Sequence, residues 1–189
     1  MERVRFGLEN VVFAKATYDA QTGQYTYATP KPLSGAVTLT LDPEGDITDF
    51  KADNIAYFLS SYDDGYSGSL EIAKIPNDFF VDILGYTLDD NAALVQKAGA
   101  QVSEFALGFM IDGDNKGRKT WLHRMVARKG GIGSATKEQS NDPQNQTFDI
   151  RAVGRLGDKL CKISIESDGS NDAVFNTFLD AVYEEVVTP

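Results

Sequence analysis

Apolar and polar residues alternate with a period of two along most of this chain, the pattern of strands with one buried face. Residues 35–41 place Val37, Leu39 and Leu41 on one face and Ala36, Thr38 and Thr40 on the other. Residues 55–62 repeat this with Ile55, Tyr57 and Leu59 against Ala56, Phe58 and Ser60, and residues 68–75 with Leu70 and Ile72 against Ser69 and Glu71. Turn chemistry separates the runs, Asp42-Pro43-Glu44-Gly45-Asp46 before the second and Asp63-Asp64-Gly65 before the third. Upstream, residues 11–17 and 25–29 read as a hairpin joined by residues 19–23 and broken off at Pro30 and Pro32.

Residues 103–112 are the most apolar run, with Phe105, Leu107, Phe109 and Ile111 on one face and Ala106, Gly108 and Met110 on the other. No charge falls between Glu104 and Asp112, which predicts a strand covered on both sides, by a helix in preference to a neighbouring subunit. Residues 118–128 are expected to pair back onto it through residues 112–117. Residues 147–153 turn Phe148, Ile150 and Ala152 inward, and residues 159–165 are their expected partner.

Two stretches change to helical spacing. Pro76 at a first position, Gly85 past the end, and Phe79, Phe80, Ile83 and Leu84 between them predict a short helix. Val174, Phe175, Phe178, Leu179, Val182 and Val186 form a stripe that predicts a C-terminal helix over residues 171–186, started by Asn171 and Asp172. Between residues 129 and 143, Gly130, Gly131 and Gly133 stand among polar residues with no period, a loop of the length that usually means function or disorder. No linker or internal repeat divides the 189 residues, so one domain is expected.

Composition narrows the classes. No run of about 18 apolar residues predicts a membrane span, and Met1-Glu2-Arg3-Val4-Arg5 lacks the apolar core of a signal peptide. One cysteine, Cys161, excludes an internal disulfide and reads as a small buried apolar residue. A net charge of −10 argues against a phosphate-neutralising nucleic-acid binder. The charge is uneven: Lys116, Arg118, Lys119, Arg124, Arg128, Lys129 and Lys137 follow one another without an acid, whereas Asp42, Glu44, Asp46, Asp49 and Asp53 face Lys51 alone. Opposite patches of this kind can steer copies of one chain together, or be two ordinary solvated faces.

Catalytic and metal patterns fail on inspection. Residues 112–117 open like a calcium loop, but Lys116 stands at a ligand position and His123 where the closing glutamate belongs. Residues 113–120 put Arg118 between glycine and lysine, which a phosphate loop does not tolerate. Gly131-Ile132-Gly133 lacks the third glycine of a dinucleotide fingerprint. His123 has no second histidine to share a metal and reads as a strand residue, and the paired acids 63–64 and 89–90 sit in turns. The expectation is no enzyme, no metal and no cofactor.

The segments DPEGD, ADNIAYF, GYSGSLEIAKIP and LGYTLDDN are similar to the major tail tube proteins of long, flexible-tailed phages of Gram-positive bacteria. The similarity continues in order from VRFGLENVVFA through SATKEQSNDPQNQTFDI to VFNTFLDAVYEEVVTP, nearly the full length. It implies a mainly-β tail tube fold, sandwich or barrel-like, with one short helix and one C-terminal amphipathic helix. It further implies a virion protein made in the host cytoplasm, whose rings of six stack into a hollow tail tube. The implied partners are copies of itself, the tape measure, tail terminator and baseplate proteins, and DNA in non-specific transit, with no membrane.

Under that resemblance, residues 1–7 with Arg3 and Arg5, and the loop with Lys129, Gly130, Gly131, Gly133, Lys137 and Glu138, are the expected subunit contacts. The acidic balance would let DNA slide through the lumen without sticking. The chain ends soon after its last helix, so an appended adhesive domain is not expected. The rival reading is a monomeric β-sandwich module that binds carbohydrate through Tyr57, Tyr62, Tyr66 or Trp121, and a third is an enzyme with an unrecognised site.

Overall fold

The computed structural model describes residues 5–52, 55–113, 117–128, 130 and 145–186. In order these form β1 (Arg5–Asp19), β2 (Gln24–Tyr27), β3 (Lys31–Pro32), β4 (Ala36–Ala52), β5 (Ile55–Ile72), α1 (Asn77–Asp82), β6 (Thr87–Leu88), β7 (Leu94–Val95), β8 (Phe105–Gly113), β9 (Arg118–Ala127), β10 (Gln146–Ala152), β11 (Lys162–Glu166) and α2 (Asp172–Thr177). Among the described residues, nine strands join in one sheet of order β2-β1-β8-β9-β10-β5-β4, with β3 on β1 and β11 on β9. Strands β6 and β7 pair apart from it, and all these pairings are antiparallel. The sheet folds over so that β1 approaches β4, giving the mainly-β, sandwich-like architecture that the alternation predicts.

A main core fills the fold. Phe13 from β1, Leu70 and Ile72 from β5, Phe105 and Leu107 from β8, Leu122 and Met125 from β9, and Phe148 and Ile150 from β10 all converge on it. Helix α1 and the residues that end it close it as a plug: Phe79 of the helix and Ile83 and Leu84 just past it are buried, as their spacing predicts. Pro76 caps its start, and Gly85 at φ +72° ends it while the Tyr86 N–H donates to Phe80 O at 3.0 Å. Lys31 ties β3 to the helix, 2.7 Å from Asp82 and 3.2 Å from Asp78.

The strand after α1's connection is covered on both sides, as its unbroken apolar run demands. Phe105, Leu107 and Phe109 of β8 face the main core, while Ala106 meets Trp121 and Phe178 in a second, smaller cluster. The second cover is the C-terminal segment, and it is less helical than its stripe suggests. Helix α2 stops at Thr177; beyond it Val186 is 76% exposed, and within it Val174 of the stripe is 40% exposed. The reason lies on β9: Lys119 Nζ donates to Phe175 O and Asn176 O, Trp121 Nε1 to Phe178 O at 2.7 Å, and the His123 ring bonds Tyr183 O at 2.8 Å. These side chains occupy carbonyls that a longer helix would offer to its own amides.

Three other expectations are corrected. Both proposed turns, at residues 42–46 and 63–65, lie inside continuous strands, β4 and β5. Strand β11 pairs with β9, not β10: Lys162 stands opposite Leu122 and Ile165 opposite Lys119. Strand β9 is long enough to be shared, its first half with β11 and its end, Met125–Ala127, with β10. Val37 is 50% exposed, because the register steps from Ala36 opposite Ile72 to Thr38 opposite Glu71 and leaves Val37 as a bulge.

The turn 89–93 stores a small, removable strain. Asp89 accepts from the Asn91 and Ala93 amides at 2.9 and 2.7 Å, and Ala92 is held at φ +60°. Left-handed backbone is costly for any residue with a Cβ. Ala92→Gly is expected to raise stability by about 0.5–1 kcal/mol in urea unfolding, after the greater entropy of glycine in the unfolded chain is allowed for.

Candidate functional site

The longest elements are β4 and β5, and they outrun the sheet. Strand β10 pairs with β5 from Gln146 opposite Ile72 to Ala152 opposite Tyr66, and goes no further. Beyond that point β4 and β5 pair with each other alone among the described residues, from Glu44 opposite Gly65 out to Ala52 opposite Ile55. The result is a two-stranded ribbon that, among the described residues, has both long edges unpaired. A two-stranded ribbon is marginal in water, and its open edges are templates for another strand.

A bulge marks the ribbon's base. Glu44 lies opposite Gly65 but Gly45 lies opposite Asp63, so Asp64 is the extra residue in β5. Gly65 sits at φ +100°, and the Asp63 carboxylate accepts its N–H at 3.0 Å. A Cβ on Gly45 would stand 2.1 Å from Tyr62 O, so the strands approach too closely there for a side chain. Arg151 of β10 bonds Asp64 at 2.7 Å and Glu44 at 2.8 Å, stapling the bulge to both ribbon strands and to the body.

The residues expected to act fall unevenly on this frame. Arg3, Lys129, Gly131, Gly133, Lys137, Glu138 and Asp53 lie outside the described residues. Arg5 begins β1, opposite Gly113. Gly130 packs against β10: a Cβ there would meet Thr147 O at 2.3 Å. Asp42, Glu44, Asp46 and Asp49 all lie on β4, running from the body out along the ribbon, so the acidic stretch does gather on one element. Its basic counterpart gathers in part on β9, where three of its members are engaged within the chain. Arg118 pairs with Glu166, Arg124 bonds Glu104 at 2.7 Å, and Lys119 serves the α2 carbonyls. Glu104 also holds the Arg124 pKa above its ordinary value.

Of the aromatics considered for a sugar platform, Trp121 is fully buried and Tyr66 accepts a bond from Lys162 at 2.8 Å. Tyr62 is 65% exposed, and the side chain of Tyr57 lies outside what is described. Cys161 is half-buried, and burial raises its thiol pKa, consistent with a packing role.

A polar cluster absent from the expected site joins the C-terminal segment to the sheet. Arg155, between β10 and β11, bonds Glu184 at 2.7 Å and also Asp158, with Tyr27 OH at 3.4 Å. Burial opposes the Arg155 charge, but Asp158, Tyr27 and Glu184 outweigh it and hold its pKa above the usual value. Tyr27 is pushed up to about 12, chiefly by burial, and donates to His123 O at 3.1 Å. The sequence signal was the alternation of Lys119, Trp121 and His123, three side chains with N–H donors on one strand face that each need an acceptor.

An open groove of about 680 Å³ runs beside this cluster, lined by Tyr25, Tyr27, Pro30, Arg155, Val182 and Glu184 among others. Its guanidinium is already bonded to Glu184 and Asp158. Among the described residues, no group of three or more His, Cys, Asp or Glu could hold a metal ion, and no helix is long and apolar enough to cross a membrane. Comparison with protein-family models and with curated proteins finds no match.

Proposed function

We propose that this chain is a self-associating structural subunit, whose working surfaces are strand edges that meet other copies of itself. The ribbon of β4 and β5 is the observation that carries the reading: its edges are unpaired among the described residues, and a long hairpin of this kind gains stability when a neighbouring subunit supplies the next strand. Heterologous contacts of this kind close into rings when the rotation between copies completes a circle.

Within that class, the particular assembly we propose is the tail tube of a long, flexible-tailed phage. The order of similar segments along nearly the whole chain supports it. The acidic residues carried along β4 suit a surface past which DNA must slide. Stacked rings of six would enclose a tape measure protein, and the tail terminator and baseplate would meet the tube at its ends. Residues 1–7 and the loop 129–143 remain the proposed reach to neighbouring copies.

The test is to excise residues 47–61, joining Asp46 to Tyr62 through Asn-Gly. The shortened chain is expected to keep a β-rich far-UV spectrum and a cooperative melt, yet stay monomeric in gel filtration and negative stain. The intact chain at the same concentration, with its sister virion proteins, should give rings or tubes. Tubes from the excised chain would remove the ribbon from the assembly, and an intact chain that stays monomeric under every such condition would remove the assembly itself.

A further inference from the structure

The chain has one histidine and one tryptophan, and both stand on the outward face of β9 beneath residues 178–186. This C-terminal strap is irregular after α2 and is held by side chains instead of a strand ladder. Phe178, Leu179, Val182 and Tyr183 cover Trp121, Ala106, Ile163 and Ile165. Elements secured in this way open at lower free energy than the core beneath them.

His123 is fully buried at the strap's midpoint. Its Nε2 lies 2.8 Å from Tyr183 O, and a carbonyl can only accept, so the proton of the neutral ring is on Nε2. Nδ1 is then a bare lone pair, and among the described residues it has no hydrogen-bond partner. A second proton would create a buried N–H without an acceptor, on a ring that would also carry charge.

The surroundings offset that cost only in part: the Tyr183 carbonyl on Nε2 favours the charged ring, but burial outweighs it. Tyr27 of β2 approaches edge-on at 6.3 Å and spends its hydroxyl proton on His123 O. Cys161, ahead of β11, contributes its carbonyl to the His123 backbone N–H. Glu184 of the strap favours the imidazolium and Arg155 opposes it, and the two are bonded to each other, with Asp158 on Arg155 as well. Arg124, the next residue on β9, bonds Glu104.

We propose that His123 is an acid-sensitive latch, whose neutral ring pins the strap to the sheet and whose protonation releases residues 178–186 and uncovers the Trp121 face. The proposal goes beyond assembly and holds for the lone subunit. Burial, the largest influence, places the imidazole pKa below its ordinary value in the docked state. Docking is therefore at full strength above about pH 6.5, the unbound value, and weakens as pH falls below it, by up to tenfold per pH unit.

The test follows Trp121 emission of the full chain from pH 8 to pH 4.5, with far-UV dichroism in parallel. The expected result is a red shift that sets in as the pH falls below about 6.5 while the dichroism is unchanged, with protease cleavage near the C-terminus rising over the same interval. His123→Gln keeps an N–H for Tyr183 O but cannot titrate, and should flatten the curve above pH 5. An unmoved emission, a shift that coincides with loss of the β spectrum, or a His123→Gln curve equal to that of the native chain each overturns the latch. Should His123→Gln fail to fold, the single imidazole resonance of the native chain decides. Titration below about 6.5 in step with the emission supports the latch, and titration at or above that value overturns it.

Discussion

Phe79→Ala is expected to destabilise the fold by about 3–5 kcal/mol, the range for truncating a fully buried aromatic. Phe79 is the residue of α1 that touches three walls of the core at once. Its ring meets Phe13 of β1 edge-on at 5.0 Å, Phe105 of β8 edge-on at 5.6 Å, and Phe148 of β10 at 5.1 Å in a tilted arrangement. Removing it opens a cavity and ends three aromatic contacts, each of which adds roughly 0.5–1.5 kcal/mol beyond simple burial. In a domain of this size the melting temperature should fall by about 10 °C or more. Phe80→Ala is the matched control, because Phe80 is half-buried and its ring contact is with Tyr86 on the outer side. Equal losses for the two variants, measured in urea, would mean that α1 lies on the core without plugging it.

That helix was legible because its signals are local. Pro76, Gly85 and the spacing of Phe79 and Ile83 need no knowledge of the rest of the chain. The inward set Phe148, Ile150 and Ala152 was legible for the same reason, and its strand buries all three. What the sequence concealed was decided between distant segments. Asp-Pro-Glu-Gly-Asp and Asp-Asp-Gly each fit a turn, but they lie opposite one another across a ladder and together build a bulge. The residues suited to ending a strand are also suited to bending one.

The C-terminal stripe shows the same ambiguity. Phe175, Phe178, Leu179 and Val182 can be buried by a helix or by a strap that wraps the same face. Donors more than 50 residues upstream break the tie, because Lys119, Trp121 and His123 bind carbonyls that helix continuation would need. The partner of β11 was misread likewise, since alternation states which face is buried and not which strand lies beside it. For the site, the acidic run on β4 was visible in sequence, whereas the ribbon that carries it follows from where β10 stops pairing.

Gly65→Ala is the second change with a large expected effect, about 2–4 kcal/mol of lost stability. Two costs coincide at this position. The backbone is held at φ +100°, which a residue with a Cβ resists, and a Cβ there would stand 2.1 Å from Ala152 O. Ala152 is the last residue of β10 in register with β5, so relief requires moving either the end of β10 or the base of the ribbon. Movement of either kind would also shift Arg151 relative to Asp64 and Glu44. Gly99→Ala separates the two costs, because Gly99 has φ +79° with nothing within 4 Å of its added Cβ. That control should lose only about 1 kcal/mol, the cost of backbone conformation alone. If urea unfolding gives the two alanine variants the same loss, the close approach to Ala152 contributes nothing. If Gly65→Ala loses more yet assembles as the native chain does, the angle at which the ribbon leaves the body is not what neighbouring copies read.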